Sequence, residues 1–191
     1  MLRTSAPLIG ALGVMNLTLD HNVIIDLANG SESVARLREM LASNQHQGYV
    51  VEIGASEMRQ RGIRPNRFDL FEELLDEAGI RALPRLVPMA VWDVTFWDHG
   101  LWSDEAMSNR ASAVETVLFG DSPPIEIAGE AEDSPKFAKW LNRLCDVQTM
   151  WCHLHYGNDI FVTSDRNFHK STKAPRLVAM GAGKIATPEG L

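Results

Sequence analysis

Short apolar runs alternate with amphipathic stretches along most of the chain. The runs at residues 14–20, 48–53 and 160–163 are rich in aliphatic and aromatic residues and predict β-strands. Another strand is expected within residues 80–91, and "RLVAM" at 176–180 is the candidate for the fifth. Strands that alternate with helices favour a parallel sheet covered on both faces. We therefore expect an α/β fold, with three α/β/α layers and a central, mainly parallel sheet of about five strands.

Capping residues and glycines mark the expected helix ends. Ser31 is a predicted cap of a helix that follows it. Residues 136–144 and 147–154 predict two successive helices, because Asp146 between them is a good helix-capping residue. Gly157 is the predicted stop of the second of these helices.

The length of the chain favours one domain. With 191 residues and 45% hydrophobic content, it can bury one substantial core and is short for two. We predict a single domain over residues 1–191, with a helical and irregular elaboration at about 92–135. The apolar stretch near the N-terminus is too short to span a membrane and predicts a leader packed on the domain.

Charge and cysteine content limit the partners and the compartment. The formal net charge is −7, so a polyanion would need local Lys or Arg residues, or metal ions, to bind. Cys145 and Cys152 are the only cysteines, and in helical sequence they would be about 10 Å apart, too far for a disulfide. This cysteine usage is typical of a reduced, intracellular protein, and we expect a cytoplasmic location.

Four acidic residues have positions that predict a common site. Asp20 follows the first strand, Glu57 lies just beyond the second, and Asp165 comes two residues after the strand at 160–163. Asp146 leads the helix that feeds this last strand. Because sites in parallel sheets form beyond the carboxyl ends of the strands, we expect these carboxylates to converge on one edge.

Each of these carboxylates also has an ordinary structural interpretation. Asp146 could be only a helix cap, Asp165 only a turn residue, and Asp20 only the end of a strand. Glu52 is an alternative to Glu57, although it lies within the predicted strand.

Clustered carboxylates favour a hard divalent cation. Like charges in one site raise one another's pKa unless a bound cation compensates them. An all-oxygen ligand set favours Mg²⁺ or Mn²⁺ over zinc. Such ions commonly take their other ligands from water and phosphate oxygens, so the pattern points to metal-dependent phosphodiester hydrolysis.

Several segments together resemble the PIN-domain nuclease family. The resemblance spans residues 14–189, with little contribution from 92–135, and it is most specific in the block that ends with Thr-Ser-Asp-Arg-Asn-Phe. One departure is His21, which stands where Thr or Ser is more usual. The matching segments are "LDHNVIIDL" (19–27), "EIGASEM" (52–58), "CDVQTMWCHLHYGNDIFVTSDRNF" (145–168) and the closing "GKIATPE".

The resemblance implies a PIN-like fold, an activity and a set of site residues. The implied activity is metal-dependent RNA cleavage, and many small members of the family are toxins paired with an antitoxin protein. A catalytically silent PIN-like module that binds RNA or protein is the alternative. The implied catalytic and metal-binding residues are Asp20, Glu57, Asp146 and Asp165, with Asn22 and Thr163 as supporting polar groups.

Basic and aromatic residues supply further candidates for binding. The densest basic run predicts a phosphate-guiding patch or a solvated helix end, and it contains Arg59, Arg61 and Arg64. The central segment contains three tryptophans that could stack single-stranded bases, or fill a core or a subunit contact: Trp92, Trp97 and Trp102. Apolar and aromatic surface in this segment predicts a homodimer or a larger assembly.

Overall fold

Five parallel strands form the central sheet, whose spatial order is β3-β2-β1-β4-β5. A computed structural model describes residues 13–43, 45–58, 67–120 and 122–191. The sheet confirms the predicted α/β fold class and the expected number of strands. The strands are β1 (Asn16–Leu19), β2 (Gln47–Val51), β3 (Arg85–Leu86), β4 (Ile160–Val162) and β5 (Lys184–Ala186).

Seven α-helices lie in the described ranges of the chain. Short 3₁₀ turns add Glu32–Val34 and Pro188–Gly190, and a π turn covers Val178–Ala182. The α-helices are α1 (His21–Ala28), α2 (Ala35–Ala42), α3 (Gly54–Glu57), α4 (Phe68–Glu77), α5 (Glu105–Phe119), α6 (Pro135–Tyr156) and α7 (Ala174–Leu177).

The helices cover both faces of the sheet because successive strand residues point to opposite sides. Val50 packs with Val23 of α1 and Leu75 of α4, whereas the next residue, Val51, packs with Leu141 of α6. Helix α5 packs on α6 through a third apolar cluster, which also contains Phe161 of β4. The result is a three-layer α/β/α arrangement.

The direction in which the chain adds strands reverses at β1. The chain builds β2 and β3 on one side of β1 and then returns to place β4 and β5 on the other. Leu19, the last residue of β1, pairs with Val50 on one side and Val162 on the other. Residues that follow β1 and β4 therefore meet where open parallel sheets commonly bind ligands.

One predicted strand and one predicted helix cap are wrong. "RLVAM" at 176–180 is the end of α7 and the start of the π turn, and the fifth strand is Lys184–Ala186 instead. Pro175 explains the difference, because proline suits the first turn of a helix and cannot donate to a sheet ladder. Ser31 precedes a 3₁₀ turn without capping it, and its hydroxyl lies 3.4 Å from the Asp26 carboxylate.

The two helices predicted around Asp146 are one continuous helix, α6. No glycine or proline interrupts the chain between Pro135 and Gly157, and an apolar stripe from Leu141 through Cys145 to Cys152 continues across Asp146 on the sheet side. Gly157 ends α6 as predicted, with a left-handed backbone at φ 68°.

The sequence also makes predictions for the N-terminal segment and for the middle of the chain. Most of the predicted N-terminal leader, residues 1–12, lies outside the described residues. The elaboration predicted at 92–135 contains α5, with turn-rich segments before and after it. Within the described ranges, no helix has the combination of length and hydropathy that crossing a membrane requires.

Candidate functional site

Asp20 lies at the junction of β1 and α1. Its backbone N–H donates to the carbonyl of Val162 at 3.0 Å, which extends the pairing of β1 with β4. Its Oδ1 accepts from the backbone N–H of His21 at 2.8 Å and caps α1. Its Oδ2 accepts from Asn22 Nδ2 at 2.7 Å and from Thr163 Oγ1 at 2.5 Å. Both oxygens of this buried carboxylate are therefore held in position.

Asn22 and Thr163 connect the start of α1 with the end of β4. The Thr163 hydroxyl, besides donating to Asp20, accepts from the backbone N–H of Asp165 at 3.0 Å. The Asn22 Oδ1 accepts from the backbone N–H of Ser164, also at 3.0 Å. The two residues expected to support the site thus hold Asp20 and the Asp165 backbone in one hydrogen-bonded unit.

Asp165 opens the turn after β4. Its Oδ1 accepts from the backbone N–H of Asn167 at 2.8 Å, and its carbonyl accepts from the N–H of Phe168 at 3.2 Å. Asp165 is therefore a turn residue, as the ordinary interpretation predicts. The side chain nevertheless lies close enough to Asp20 and Asp146 to raise the pKa of both.

Glu57 is the last residue of α3, the short helix that follows β2. Its Oε2 lies 3.9 Å from Nδ1 of His21, and its side chain is 18% exposed. Gly54 makes room for this arrangement, because a Cβ atom there would lie 2.9 Å from His21 Nδ1 and 3.2 Å from a ring carbon of Phe71. The close approach of α3 to His21 and Phe71 therefore depends on a residue without a side chain.

Asp146 lies in the middle of α6, eleven residues after Pro135, and its predicted role as a helix cap is wrong. It lies too far from either end of α6 for the dipole of that helix to stabilise its charge. Burial and the negative charges of Asp20 and Asp165 raise the pKa of Asp146 from its ordinary value of 3.8 to about 8. A mid-helix carboxylate in such surroundings is costly to ionise, which is common at functional sites.

Electrostatics place the four acidic residues in one neighbourhood. Burial, followed by the charges of Asp20, Asp146 and Asp165, raises the pKa of Glu57 well above its ordinary range. Burial also raises the pKa of Asp20, although its hydrogen bonds oppose that change. The structure thus brings together all four acidic residues that the sequence singled out, from four separate segments of the chain.

A lysine that the sequence analysis did not single out lies beside this cluster. Burial and the positive charge of Lys170 lower the pKa of Lys173. The negative charges of Asp165 and Asp146 oppose this change but are weaker. The Nζ of Lys173 donates to the side chain of Asn167 and to the carbonyl of Leu118. No local motif marks this residue, because the turn after β4 and the end of α5 together determine its position.

The donor chemistry of the cluster fits a hard divalent cation. Four carboxylates are too close for all to ionise easily, and a cation would compensate their charge. Their present positions are not those of a formed metal site, because the described part of the chain contains no group of three or more His, Cys, Asp or Glu side chains arranged to hold an ion. Binding an ion would therefore require the carboxylates to move closer together.

Glu52, the alternative to Glu57, lies in different surroundings. It is buried just after β2, and its Oε2 lies 3.1 Å from Nδ1 of His99. Burial raises the pKa of the Cys152 thiol, and the negative charge of Glu52 raises it further. Glu52 is not among the charges that shift the pKa of Asp20, Glu57 or Asp146.

A groove of about 1020 Å³ reaches Asp146 from the N-terminal half of α6. Lys136, Lys139 and Arg143 line it, together with Pro123 and its neighbours. Ion pairs partly neutralise this basic character: Lys136 contacts Glu130, and Arg143 contacts Glu115, each at 2.8 Å. The RNA-contacting residues predicted from the sequence, Arg59, Arg61 and Arg64, lie outside the described residues.

Comparisons with protein-family models, with curated proteins and with solved structures found no match to this chain. The resemblance to PIN-domain nucleases therefore stays a prediction from the sequence motifs.

Proposed function

We propose that the protein is a metal-dependent endoribonuclease that hydrolyses RNA phosphodiester bonds. The observation that supports this most is the convergence of Asp20, Glu57, Asp146 and Asp165 at the carboxyl ends of β1, β2 and β4. An acidic protein gains little from concentrating four carboxylates unless they bind a cation. The proposal includes Mg²⁺ or Mn²⁺ as the cofactor and RNA as the substrate.

The residues of the cluster have distinct proposed roles. Asp20, held at both oxygens, would offer a preset ligand, whereas Glu57 and Asp146 would lose a proton when a cation binds. Asn22 and Thr163 would keep Asp20 and Asp165 in register. A bound divalent ion would activate a water molecule and stabilise the leaving 3′ oxygen.

The groove beside Asp146 offers a path for a single strand. Its Lys136, Lys139 and Arg143 side chains would contact phosphates on the way to the carboxylates. An RNA phosphate could replace Glu130 as the partner of Lys136, or Glu115 as the partner of Arg143. This local attraction is needed because the net charge of −7 repels RNA at long range.

A second candidate function is a catalytically silent PIN-like module that binds RNA or protein. It is favoured by one observation, the lack of a formed metal-binding group among the described residues. We also propose, on the resemblance alone, that the protein is the toxin of a toxin–antitoxin pair, with an antitoxin protein as partner. The proposal further includes a homodimer, which the resemblance also favours.

Cleavage of a mixed pool of single-stranded RNA tests the proposal. Wild type should cut the pool with Mg²⁺ or Mn²⁺ and not after EDTA treatment. Asp165→Asn should fold and should lower the rate by about two orders of magnitude or more, because an amide is a far weaker ligand for these ions. Asp133→Asn, at an exposed position outside the cluster, should cleave like wild type.

Two results would contradict the proposal. Cleavage that survives EDTA would exclude a metal-dependent reaction. An Asp165→Asn variant with full activity would leave Asp165 as a turn residue only. RNA binding without cleavage under every metal condition would favour the silent module.

A further inference from the structure

Three tryptophans project into solvent from one loop of the molecule. Trp92, Trp97 and Trp102 have relative exposures of 79%, 83% and 81%. We call residues 91–104 the tryptophan loop. A buried core is thus excluded for these side chains. Each indole ring offers a large apolar face to water, and exposed apolar surface from several residues of one loop is a candidate interaction site.

The tryptophan loop is closed at its base by backbone hydrogen bonds. The N–H of Ala90 donates to the carbonyl of Leu101, and the N–H of Leu101 donates to the carbonyl of Pro88, both at 2.8 Å. Trp92 and Trp102 consequently flank the closure, with Trp97 in the middle of the loop.

The residues between the tryptophans anchor the loop to the core. Val94 is fully buried, and Phe96 is nearly so. The carbonyl of Val94 accepts from the hydroxyl of Ser56 at 2.8 Å. His99 stacks on Phe68 with ring centroids 3.9 Å apart. The tryptophans are therefore displayed by an ordered support.

The backbone beside two of the tryptophans is unusual. Asp93 and Asp98, the residues that follow Trp92 and Trp97, have φ angles of 58° and 65°. Only a few per cent of residues other than glycine adopt this left-handed region, and Asp and Asn do so most readily. Each aspartate thus places an acidic side chain directly after an exposed indole ring.

The charged side chains in the loop and directly after it are mainly acidic. Asp93, Asp98 and Asp104 of the loop and Glu105, the first residue of α5, are all exposed. The sequence contains no Lys or Arg from position 87 to position 109. Aromatic faces beside carboxylates are suited to guanidinium and ammonium groups, which stack on indole rings and pair with the acids.

We propose that the tryptophan loop binds a cationic segment of a protein partner, in which Arg or Lys side chains alternate with aliphatic ones. Arginine and tryptophan are the residue types that contribute most to the stability of protein interfaces. The opposite charges would speed association and select against acidic partners. This inference is independent of the proposed ribonuclease activity, because it uses none of the residues of the carboxylate cluster.

Two other occupants fit the observations less well. Single-stranded RNA could stack on the indoles, but its phosphates would face four acidic residues and no Lys or Arg within this stretch. A second copy in a twofold contact would bring the same acidic surface against itself. Either occupant would have to overcome repulsion that a cationic segment avoids.

Binding of a synthetic peptide of alternating Arg and Leu tests the proposal. The labelled peptide is held at a fixed concentration and titrated with the protein. The fluorescence anisotropy of the peptide follows binding at low and at moderate ionic strength. We expect saturable binding that weakens with salt. A peptide with Glu in place of Arg should not bind.

Two variants locate the binding on the tryptophan loop. Replacing all three tryptophans by alanine should weaken binding about tenfold or more. Asp93→Asn combined with Asp98→Asn should weaken binding about tenfold and reduce its salt dependence, while asparagine keeps the left-handed backbone. Circular dichroism checks that both variants fold.

A matched control measures attraction by the net charge alone. Glu32→Gln combined with Glu39→Gln removes two exposed acidic groups near and within α2 and should leave peptide binding unchanged. Four results would overturn the proposal: no saturable peptide binding, equal weakening by the control variant, RNA binding that the tryptophan variant abolishes, or self-association that this variant abolishes.

Discussion

Thr163 is the residue that links the most parts of the candidate site. Its buried hydroxyl donates to Asp20 and accepts from the backbone N–H of Asp165. The sequence motif placed it at the end of a strand, and its contacts explain why a hydroxyl is present there. A β-branched residue also suits the strand, so the side chain serves the sheet and the site together.

Thr163→Val should separate these two roles, because valine keeps the shape and removes the hydroxyl. Asp20 Oδ2 would lose one donor and the Asp165 N–H its acceptor, so the free energy of unfolding should fall by about 1–3 kcal/mol. Urea denaturation of the metal-free protein measures this loss. Thr116→Val, at an exposed position on α5, should change stability by less than about 0.5 kcal/mol. Equal effects of the two substitutions would contradict the assigned role.

Asp146 makes stability depend on pH. Its pKa is about 8 in the folded protein, against an ordinary value of 3.8, so the folded state holds a proton that the unfolded chain releases between these values. Without metal, the protein should therefore lose stability as the pH rises through this window, by up to about 1.4 kcal/mol per pH unit for this group. Glu57, whose pKa is also raised, should add to the loss.

Asp146→Asn should make the stability of the metal-free protein less dependent on pH. The amide does not ionise, so urea denaturation at about pH 5 and at about pH 8 should give more similar free energies of unfolding than in wild type. Asp133→Asn serves as the control and should keep the wild-type dependence. A wild-type protein that becomes more stable toward pH 8 would contradict a raised pKa at Asp146.

At the level of the helices, the close approach of α3 to His21 of α1 and Phe71 of α4 positions Glu57. Gly54→Ala should disturb it, because the added methyl group would lie 2.9 Å from His21 Nδ1. We expect a loss of about 1–3 kcal/mol in stability and a weaker response to divalent ions. Gly13→Ala is the matched control, since a methyl group there has no neighbour within 4 Å. Unchanged stability and metal response in Gly54→Ala would show that α3 can shift freely.

The sequence predicted elements well where their own residues determine them. The apolar run of β4 and the glycine after α6 were sufficient to locate both. The continuity of α6 was missed because Asp146 has the local preferences of a cap, whereas packing on the sheet extends the helix through it. "RLVAM" has the apolar composition of a strand, but a short apolar run alone does not distinguish a strand from a buried helical turn.

The acidic residues of the candidate site were predictable from the sequence, but the lysine beside them was not. The acidic residues follow strand ends, so the topology of a parallel sheet brings them together. Lys173 was missed because its place depends on the path of the chain after β4, which no short pattern encodes. The exposure of the tryptophans was also not predictable, since Val94 and Phe96 occupy the core positions of their segment.

At the scale of the whole molecule, the homodimer remains a prediction. The acidic tryptophan loop is a poor twofold interface, so a dimer should form through another surface. Analytical ultracentrifugation should therefore find a dimer of the 21.2 kDa chain both for wild type and for the variant with all three tryptophans replaced by alanine. Monomers of wild type across micromolar concentrations would contradict the prediction.

The proposed function requires that four carboxylates from separate segments form one cation site. Titration calorimetry with Mn²⁺ measures this directly on wild type, Asp165→Asn and the control Asp133→Asn. We expect saturable binding of Mn²⁺ to wild type and to the control, and binding at least about tenfold weaker in Asp165→Asn. A wild-type protein that binds no Mn²⁺, or an Asp165→Asn variant that binds it as tightly as wild type, would show that these carboxylates do not form one cation site.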